Sequence, residues 1–191
     1  MTALQFNLHS ELDDKVDHHI DQLQHDIAAS GERLVVDSRL AWHFFGHALK
    51  VHLVTDPVEA ARRVLGRPQD AVENYASVDE ARRQLAVRSE SERQRFLARY
   101  GADKTRLRNY DLICDTTRAA PAEIVERIVE MLGKPGEPGP VCYLDPGRVV
   151  RTSATEEEGE IVVRYRAPDF VVVSGAGRLD TGETLTRMTL V

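Results

Sequence analysis

The sequence has few cysteines, no long apolar segment and no excess of positive charge. Its two cysteines, Cys114 and Cys142, are too few for a disulfide framework. No apolar run approaches the roughly 18 residues that span a bilayer, and the polar N-terminus has no signal-peptide core. A formal net charge of −6 disfavours nonspecific binding to nucleic acid. We therefore predict a cytoplasmic protein that binds neither a membrane nor nucleic acid.

The periodicity of apolar residues predicts alternating helices and strands. With 191 residues, 42% of them hydrophobic, the chain is long enough for one substantial core and a small appendage. The predicted helices cover residues 2–29, 57–65, about 80–99 and 121–132. The predicted strands cover residues 33–36, 49–55, 110–115, 141–144, 160–166 and 170–174. This order is typical of a layered α/β domain followed by a β-rich segment.

A stretch rich in glycine and proline divides the chain. Residues 133–140 alternate these two residue types, which sustain neither helix nor sheet. We therefore predict an α/β domain over residues 1–132, a linker over 133–140 and a small β-rich domain over 141–191.

A basic helix is the most distinctive segment of this acidic chain. Eight arginines lie between Arg82 and Arg108. On a helix, Arg88, Glu92 and Arg95 are spaced i, i+4 and i+7 and share one face. The plainer interpretation is a solvated helix with Glu–Arg pairs. The functional interpretation is a local positive field that attracts an anion such as phosphate.

Two polar residues follow the first predicted strand. Asp37 and Arg39 come directly after residues 33–36. Ligands of open α/β sheets bind at the carboxyl ends of parallel strands. This position favours a role for both residues in binding a monophosphate or its base.

The histidines do not predict a metal site. All seven precede residue 53, and several lie among carboxylates on the first helix. His18 and His19 are adjacent, so they diverge by about 100° on a helix. Gly46 separates His43 from His47, which disfavours a helical pair. We interpret the first helix as a solvated acidic surface and assign no metal.

Four motifs agree in order and spacing with a known family. They are Val35-Val-Asp-Ser-Arg39-Leu-Ala-Trp42, Arg88-x3-Glu92-x2-Arg95-Phe96, Tyr100-Gly-Ala-Asp103 and Asn109-Tyr-Asp-Leu-Ile113. Over about residues 2–132 the chain resembles the cytidylate kinase-like family, most closely its archaeal-type branch. The resemblance implies an incomplete P-loop-kinase-like parallel sheet flanked by helices, with the β-rich C-terminal segment as an appendage.

The resemblance also implies an activity and roles for individual residues. Members of the family transfer a phosphoryl group from ATP to a pyrimidine nucleoside monophosphate. Arg88 and Arg95 correspond to arginines of the lid over the transferring phosphates, and Glu92 orients them. Arg39 and Arg63 correspond to ligands of the acceptor nucleotide.

One element of such kinases is missing from the sequence. Phosphoryl transfer by this class needs Gly-x4-Gly-Lys-Ser/Thr, whose backbone N–H groups surround the phosphates. The segment most similar to this motif starts at Gly177, but it has Glu183 where the motif has lysine. Relative to the family, the chain is expected to start about fifty residues late. ATP and Mg²⁺ are therefore expected only if a P-loop is supplied upstream or in trans.

Two functional classes remain open from the sequence. One is a nucleoside-monophosphate kinase module, and the other is a catalytically inactive protein that binds a nucleotide or a regulatory partner. A kinase module, or an inactive protein that keeps the nucleotide pocket, predicts weak binding of a pyrimidine monophosphate, whereas a purely partner-binding protein does not. A protein partner or a second copy is expected to complete the sheet. In the tail, Tyr143-Leu-Asp-Pro146 and residues 173–179 are similar to ParB-like domains.

Overall fold

A computed structural model describes residues 14–68, 74–132, 140–154, 161–165, 173–175 and 185–189. The chain divides into two compact units. The first unit comprises Met1–Ala48 and Pro57–Lys104, and the second comprises Leu49–Asp56 and Thr105–Val191. The described residues form a mixed α/β fold with a parallel sheet and flanking helices, which confirms the predicted fold class.

The described part of the first unit is helical. Its helices are α1 (Asp14–Ala29), α2 (Ala41–Phe44), α3 (Pro57–Leu65) and α4 (Val78–Tyr100). The longest, α4, has clear signals at both ends. The Ser77 hydroxyl accepts a hydrogen bond from the backbone N–H of Glu80, and Gly101 ends the helix in the left-handed conformation with φ +64°.

Two apolar clusters hold these helices together. Ala61 of α3 and Ala81 of α4 are fully buried, and such small side chains let the two helices approach closely. A second cluster combines Leu40 and Ala102 with Phe96 of α4. Because Leu40 packs near Phe96, the turn before α2 is held against the C-terminal half of α4.

A four-stranded sheet forms the core of the second unit. Strands β1 (Val51–Val54), β2 (Leu112–Asp115) and β3 (Val141–Leu144) run parallel. Strand β7 (Thr186–Thr189) pairs antiparallel with β3, which gives the order β1-β2-β3-β7. Helix α5 (Pro121–Leu132) packs its Ile124 into the core of this unit.

The remaining described strands form the appendage. Strands β4 (Val149–Ala154), β5 (Ile161–Tyr165) and β6 (Val173–Gly175) make an antiparallel sheet in the order β4-β5-β6. Most of the predicted linker, residues 133–139, lies outside the described residues. Strand β3 follows the linker in the chain and pairs with β2, which precedes the linker. Both strands belong to the second unit, so the boundary between the two compact units does not lie at the linker.

One predicted strand is wrong. Residues 33–36 are irregular, and Val35 is fully exposed at 102%. An isolated strand is not stable without a hydrogen-bonded neighbour, and this short apolar run has none among the described residues. Strand β1 pairs instead with β2, through Val51 opposite Leu112.

The other predicted elements agree closely with the described structure. Helices 57–65 and 121–132 have the predicted bounds, and α4 covers the predicted basic helix. Helix α1 ends as predicted before Gly31, whereas residues 1–13 lie outside the described part. Strand β2 is shorter than predicted, because residues 107–109 form a 3₁₀ turn.

None of the described helices combines the length and the apolarity that crossing a bilayer requires.

The buried thiols give a test of this packing. Cys114 and Cys142 are free and fully buried, and burial raises the pKa of each thiol to about 12. At pH 8 only about one thiol in ten thousand is therefore ionised. We expect a thiol-specific chromogenic reagent to leave both cysteines unmodified in the native chain and to titrate both after denaturation in urea. Rapid native labelling of either thiol would contradict the described packing.

Candidate functional site

A buried carboxylate lies in the middle of the basic helix. Glu92 of α4 is only 3% exposed. It precedes the buried Phe96 by one turn, so both side chains lie on the packed side of the helix. Because an isolated buried charge is costly, this carboxylate requires cationic partners.

Three cations surround this carboxylate. The Nε of Arg88 lies 3.4 Å from Oε1 of Glu92, and Nη1 of Arg39 contacts the same oxygen. The Nζ of Lys104 lies 3.4 Å from Oε2. We call these four ionised groups the Glu92 cluster.

Local structure positions Arg39 in the cluster. The hydroxyl of Ser38 donates to Oε1 of Gln24 at 2.9 Å, and the N–H of Leu40 donates to the Ser38 hydroxyl at 3.4 Å. Leu40 itself is buried in the apolar cluster with Phe96. Arg39 is therefore anchored on both sides, while its own side chain stays 47% exposed.

The turn after α4 positions Lys104. Gly101 reverses the chain, and Asp103 accepts a bond from Nη1 of Arg93 at 3.3 Å. The ammonium group of Lys104 donates to the Ser89 hydroxyl at 2.9 Å as well as contacting Glu92. Sequence reasoning missed Lys104, although its place just after a helix-ending glycine was a usable signal.

Arg88 is the most enclosed arginine of the cluster. Its side chain is 19% exposed, and burial lowers the pKa of its guanidinium from the usual value. An arginine nevertheless stays protonated in proteins. Arg88 therefore supplies a fixed positive charge next to Glu92.

The structure places the other predicted residues differently. The guanidinium carbon of Arg95 lies 5.4 Å from the centre of the Phe96 ring. The Nε of Arg63 lies 3.1 Å from Glu59 on α3, and Asp37 is exposed. The Glu92 cluster thus joins Arg39, Arg88 and Glu92, whereas the roles of Arg95, Arg63 and Asp37 stay predictions.

The second unit has its own polar cluster, at the carboxyl ends of β2 and β3. Arg118 binds Asp145 through two hydrogen bonds of 2.8 and 2.6 Å. Nη1 of Arg148 lies 2.9 Å from Oδ2 of Asp115 and also donates to the Thr117 hydroxyl. Asp115 and Asp145 are both buried. Each carboxylate is thus neutralised by one arginine.

The environment of Asp145 sets its ionisation. Burial by itself raises the pKa of Asp145, but hydrogen bonds from Arg118 and from the N–H of Gly147 outweigh it. Together with the charges of Arg118 and Arg148, they hold the pKa below its usual range. The carboxylate is therefore ionised at neutral pH.

These carboxylates do not suit Mg²⁺ with a nucleoside triphosphate. A magnesium ion bound there would have to displace the guanidinium of Arg118 or Arg148 from its carboxylate. Within the described ranges, no group of three or more His, Cys, Asp or Glu side chains is arranged to hold a metal.

Comparisons with known proteins identify related chains. A family model described as the cytidylate kinase-like family matches residues 1–118. The cytidylate kinase of Methanobrevibacter smithii is 32% identical over 132 residues, which are 69% of this chain and 73% of that protein. The cytidylate kinase of Haloarcula marismortui is 32% identical over 144 residues, covering 73% and 72% of the two chains.

A relative named for a different activity also matches. The S-adenosylmethionine-dependent nucleotide dehydratase of Lacinutrix mariniflava is 30% identical over 131 residues, which are 68% of this chain and 26% of that protein. No solved structure matches the chain.

The Asp145 pair predicts how stability depends on pH. Since the folded-state pKa is lowered, the contribution of Asp145 is fully present above its usual value of 3.8 and is lost as the pH falls through the folded-state value. We expect Asp145→Asn to reduce the free energy of unfolding at pH 7 by about 1.5–3 kcal/mol. The variant should also lose less stability than the native chain on acidification. Urea unfolding at several pH values measures both effects.

A matched control for this variant is Glu126→Gln, which removes an exposed carboxylate from α5. It should leave the unfolding curve nearly unchanged at each pH. Equal stability of Asp145→Asn and the native chain at pH 7 would show that the Arg118–Asp145 pair does not stabilise the second unit.

Proposed function

Because the chain belongs to the cytidylate kinase-like family, we propose that it is a nucleoside-monophosphate kinase module that binds a pyrimidine monophosphate at the Glu92 cluster. The observation that carries this proposal is the convergence of Arg39, Arg88 and Lys104 on one buried carboxylate. Cations that converge in this way can also bind the oxygens of a phosphate.

A monophosphate has the charge and the hydrogen-bonding capacity to bind three converging cations. A phosphate monoester carries a charge of about −1.5 to −2 at neutral pH and three acceptor oxygens. Arginine forks bind such oxygens in pairs, which adds geometric specificity to the attraction. The half-exposed side chain of Arg39 is the accessible member of the cluster.

The proposed roles extend those of the family to named residues. Arg88 and Arg95 neutralise charge on the transferring phosphates, and Glu92 orients Arg88. Arg39 and Arg63 bind the acceptor monophosphate, with Asp37 next to them in the chain. In phosphoryl transfer, such positioning and charge neutralisation supply most of the catalysis.

The donor site requires a phosphate-binding loop that this sequence does not contain. No Gly-x4-Gly-Lys-Ser/Thr motif occurs in it, and the carboxylates at the strand ends are engaged by arginines. We propose that ATP and Mg²⁺ bind only when another segment or chain supplies such a loop. Strand β1 lies at one edge of the described sheet, and we propose that this edge accepts a further strand.

A second candidate function follows from the same missing motif. In this alternative, the protein retains a monophosphate site but is catalytically inactive, and it regulates a partner. The two candidates share the binding step but differ in turnover, so a separate measurement of turnover distinguishes them.

The binding step predicts weak, salt-sensitive affinity for CMP. Charge-assisted hydrogen bonds from arginine contribute roughly 1.5–3 kcal/mol each, but ordering long side chains and losing translational freedom offset much of this. We expect a dissociation constant of about micromolar to millimolar in calorimetry, weakening with added salt. Combining Arg88→Ala with Arg95→Ala should weaken binding at least about tenfold.

The matched control is Arg82→Ala combined with Arg83→Ala, which removes two exposed arginines from the same helix. It should bind CMP nearly as well as the native chain. Absence of heat with CMP, dCMP and UMP at millimolar concentration, in low salt and with a folded sample, would exclude a retained nucleotide site.

The catalytic step has a separate prediction. The 191-residue chain supplied with CMP, ATP and Mg²⁺ should form no CDP, because it has no loop to position the γ-phosphate. Adding a polypeptide that carries the Gly-x4-Gly-Lys motif and completes the sheet should restore turnover if the chain is a kinase module. Robust CDP formation by the chain alone, measured by chromatography, would contradict the need for such a loop.

A further inference from the structure

The contacts of Lys104 suggest more than neutralisation of a structural carboxylate. We propose that Lys104 is a phosphate-binding residue, and that Glu92 takes the place of the phosphate in the unliganded protein. This inference rests on the proposed function, since it concerns the same monophosphate site. It adds a ligand and an internal competitor that the sequence motifs do not indicate.

The geometry around Glu92 is that of a bound anion. One carboxylate oxygen, Oε1, receives Arg39 and Arg88, and the other, Oε2, receives Lys104. The ammonium group is held in this position by the Ser89 hydroxyl at 2.9 Å. The three cations are therefore already directed at a pair of oxygens, which is the arrangement that two phosphate oxygens would need.

Charge gives a phosphate dianion an advantage over Glu92. The carboxylate brings one negative charge to Arg39, Arg88 and Lys104, at a place where Glu92 is only 3% exposed. A phosphate dianion brings about two negative charges to the same three cations. The cluster should therefore bind a dianion more tightly than a monoanion, because the attraction grows with the charge of the ligand.

The exposure of the three cationic side chains predicts the order in which they meet an incoming phosphate. The side chain of Arg39 is 47% exposed, whereas those of Arg88 and Lys104 are 19% and 16% exposed. An incoming phosphate therefore meets Arg39 first and draws it from Glu92. Lys104 and Arg88 then contact the phosphate while they remain close to Glu92, which lowers the affinity by competing for the same donors.

The test measures binding of inorganic phosphate and of CMP by calorimetry at low salt. Lys104→Gln should weaken both affinities at least about tenfold, whereas Lys104→Arg should stay within about threefold of the native chain. Glu92→Gln should tighten phosphate binding at least about threefold, since it removes the internal competitor. Lys50→Gln, at a lysine in no described ion pair, is the matched control and should have no effect.

A pH series distinguishes a phosphate-binding role of Lys104 from a purely structural role. The native affinity for CMP should rise as its phosphate monoester passes from monoanion to dianion near its second pKa of about 6. Lys104→Gln should flatten this rise if Lys104 contacts the phosphate. Circular dichroism and thermal unfolding check that each variant is folded.

The outcomes separate this inference from the proposed function. If Lys104→Gln is folded and binds normally while Arg88→Ala loses binding, Lys104 is not a ligand and the monophosphate site stands. If folded Glu92→Gln binds phosphate more weakly than the native chain, Glu92 does not compete with the ligand. If neither the native chain nor Glu92→Gln binds phosphate or CMP, both proposals are wrong.

Discussion

The burial of one carboxylate constrains the first unit more than any other single interaction. Glu92 faces the packed side of α4, where water cannot solvate its charge. The folded chain must therefore bring cations to it from a neighbouring helical turn, from the turn before α2 and from the turn after α4. Removing one member of such a buried pair costs about 3–5 kcal/mol, because the remaining charge is left without compensation.

The two polar clusters of the protein differ in how many cations meet each carboxylate. At the carboxyl ends of β2 and β3, Asp115 and Asp145 each meet one arginine. Around Glu92, three cationic side chains converge on one carboxylate. The proposed phosphate site rests on this convergence rather than on the number of arginines in the helix.

Local signals in the sequence predicted the helices well. Residues 57–65 and 121–132 carry their own start signals in proline and their own apolar period, so their bounds followed directly. The shared face of Arg88 and Glu92 is also a local property of α4. By contrast, the apolar run at 33–36 looked like a strand, but whether a strand forms depends on a pairing partner that spacing does not reveal. The contact of Lys104 with Glu92 across 12 residues likewise depends on the turn geometry.

The left-handed turn at Gly101 makes the position of Lys104 depend on the length of the loop between these two residues. Its φ of +64° reverses the chain after α4, and three residues later the ammonium group of Lys104 reaches Ser89. Inserting a single residue between Gly101 and Lys104 would keep every charged group of the sequence and still move the lysine away. Related chains that differ by a gap at this point would therefore not place a lysine beside Glu92 in this way, even where all their arginines align.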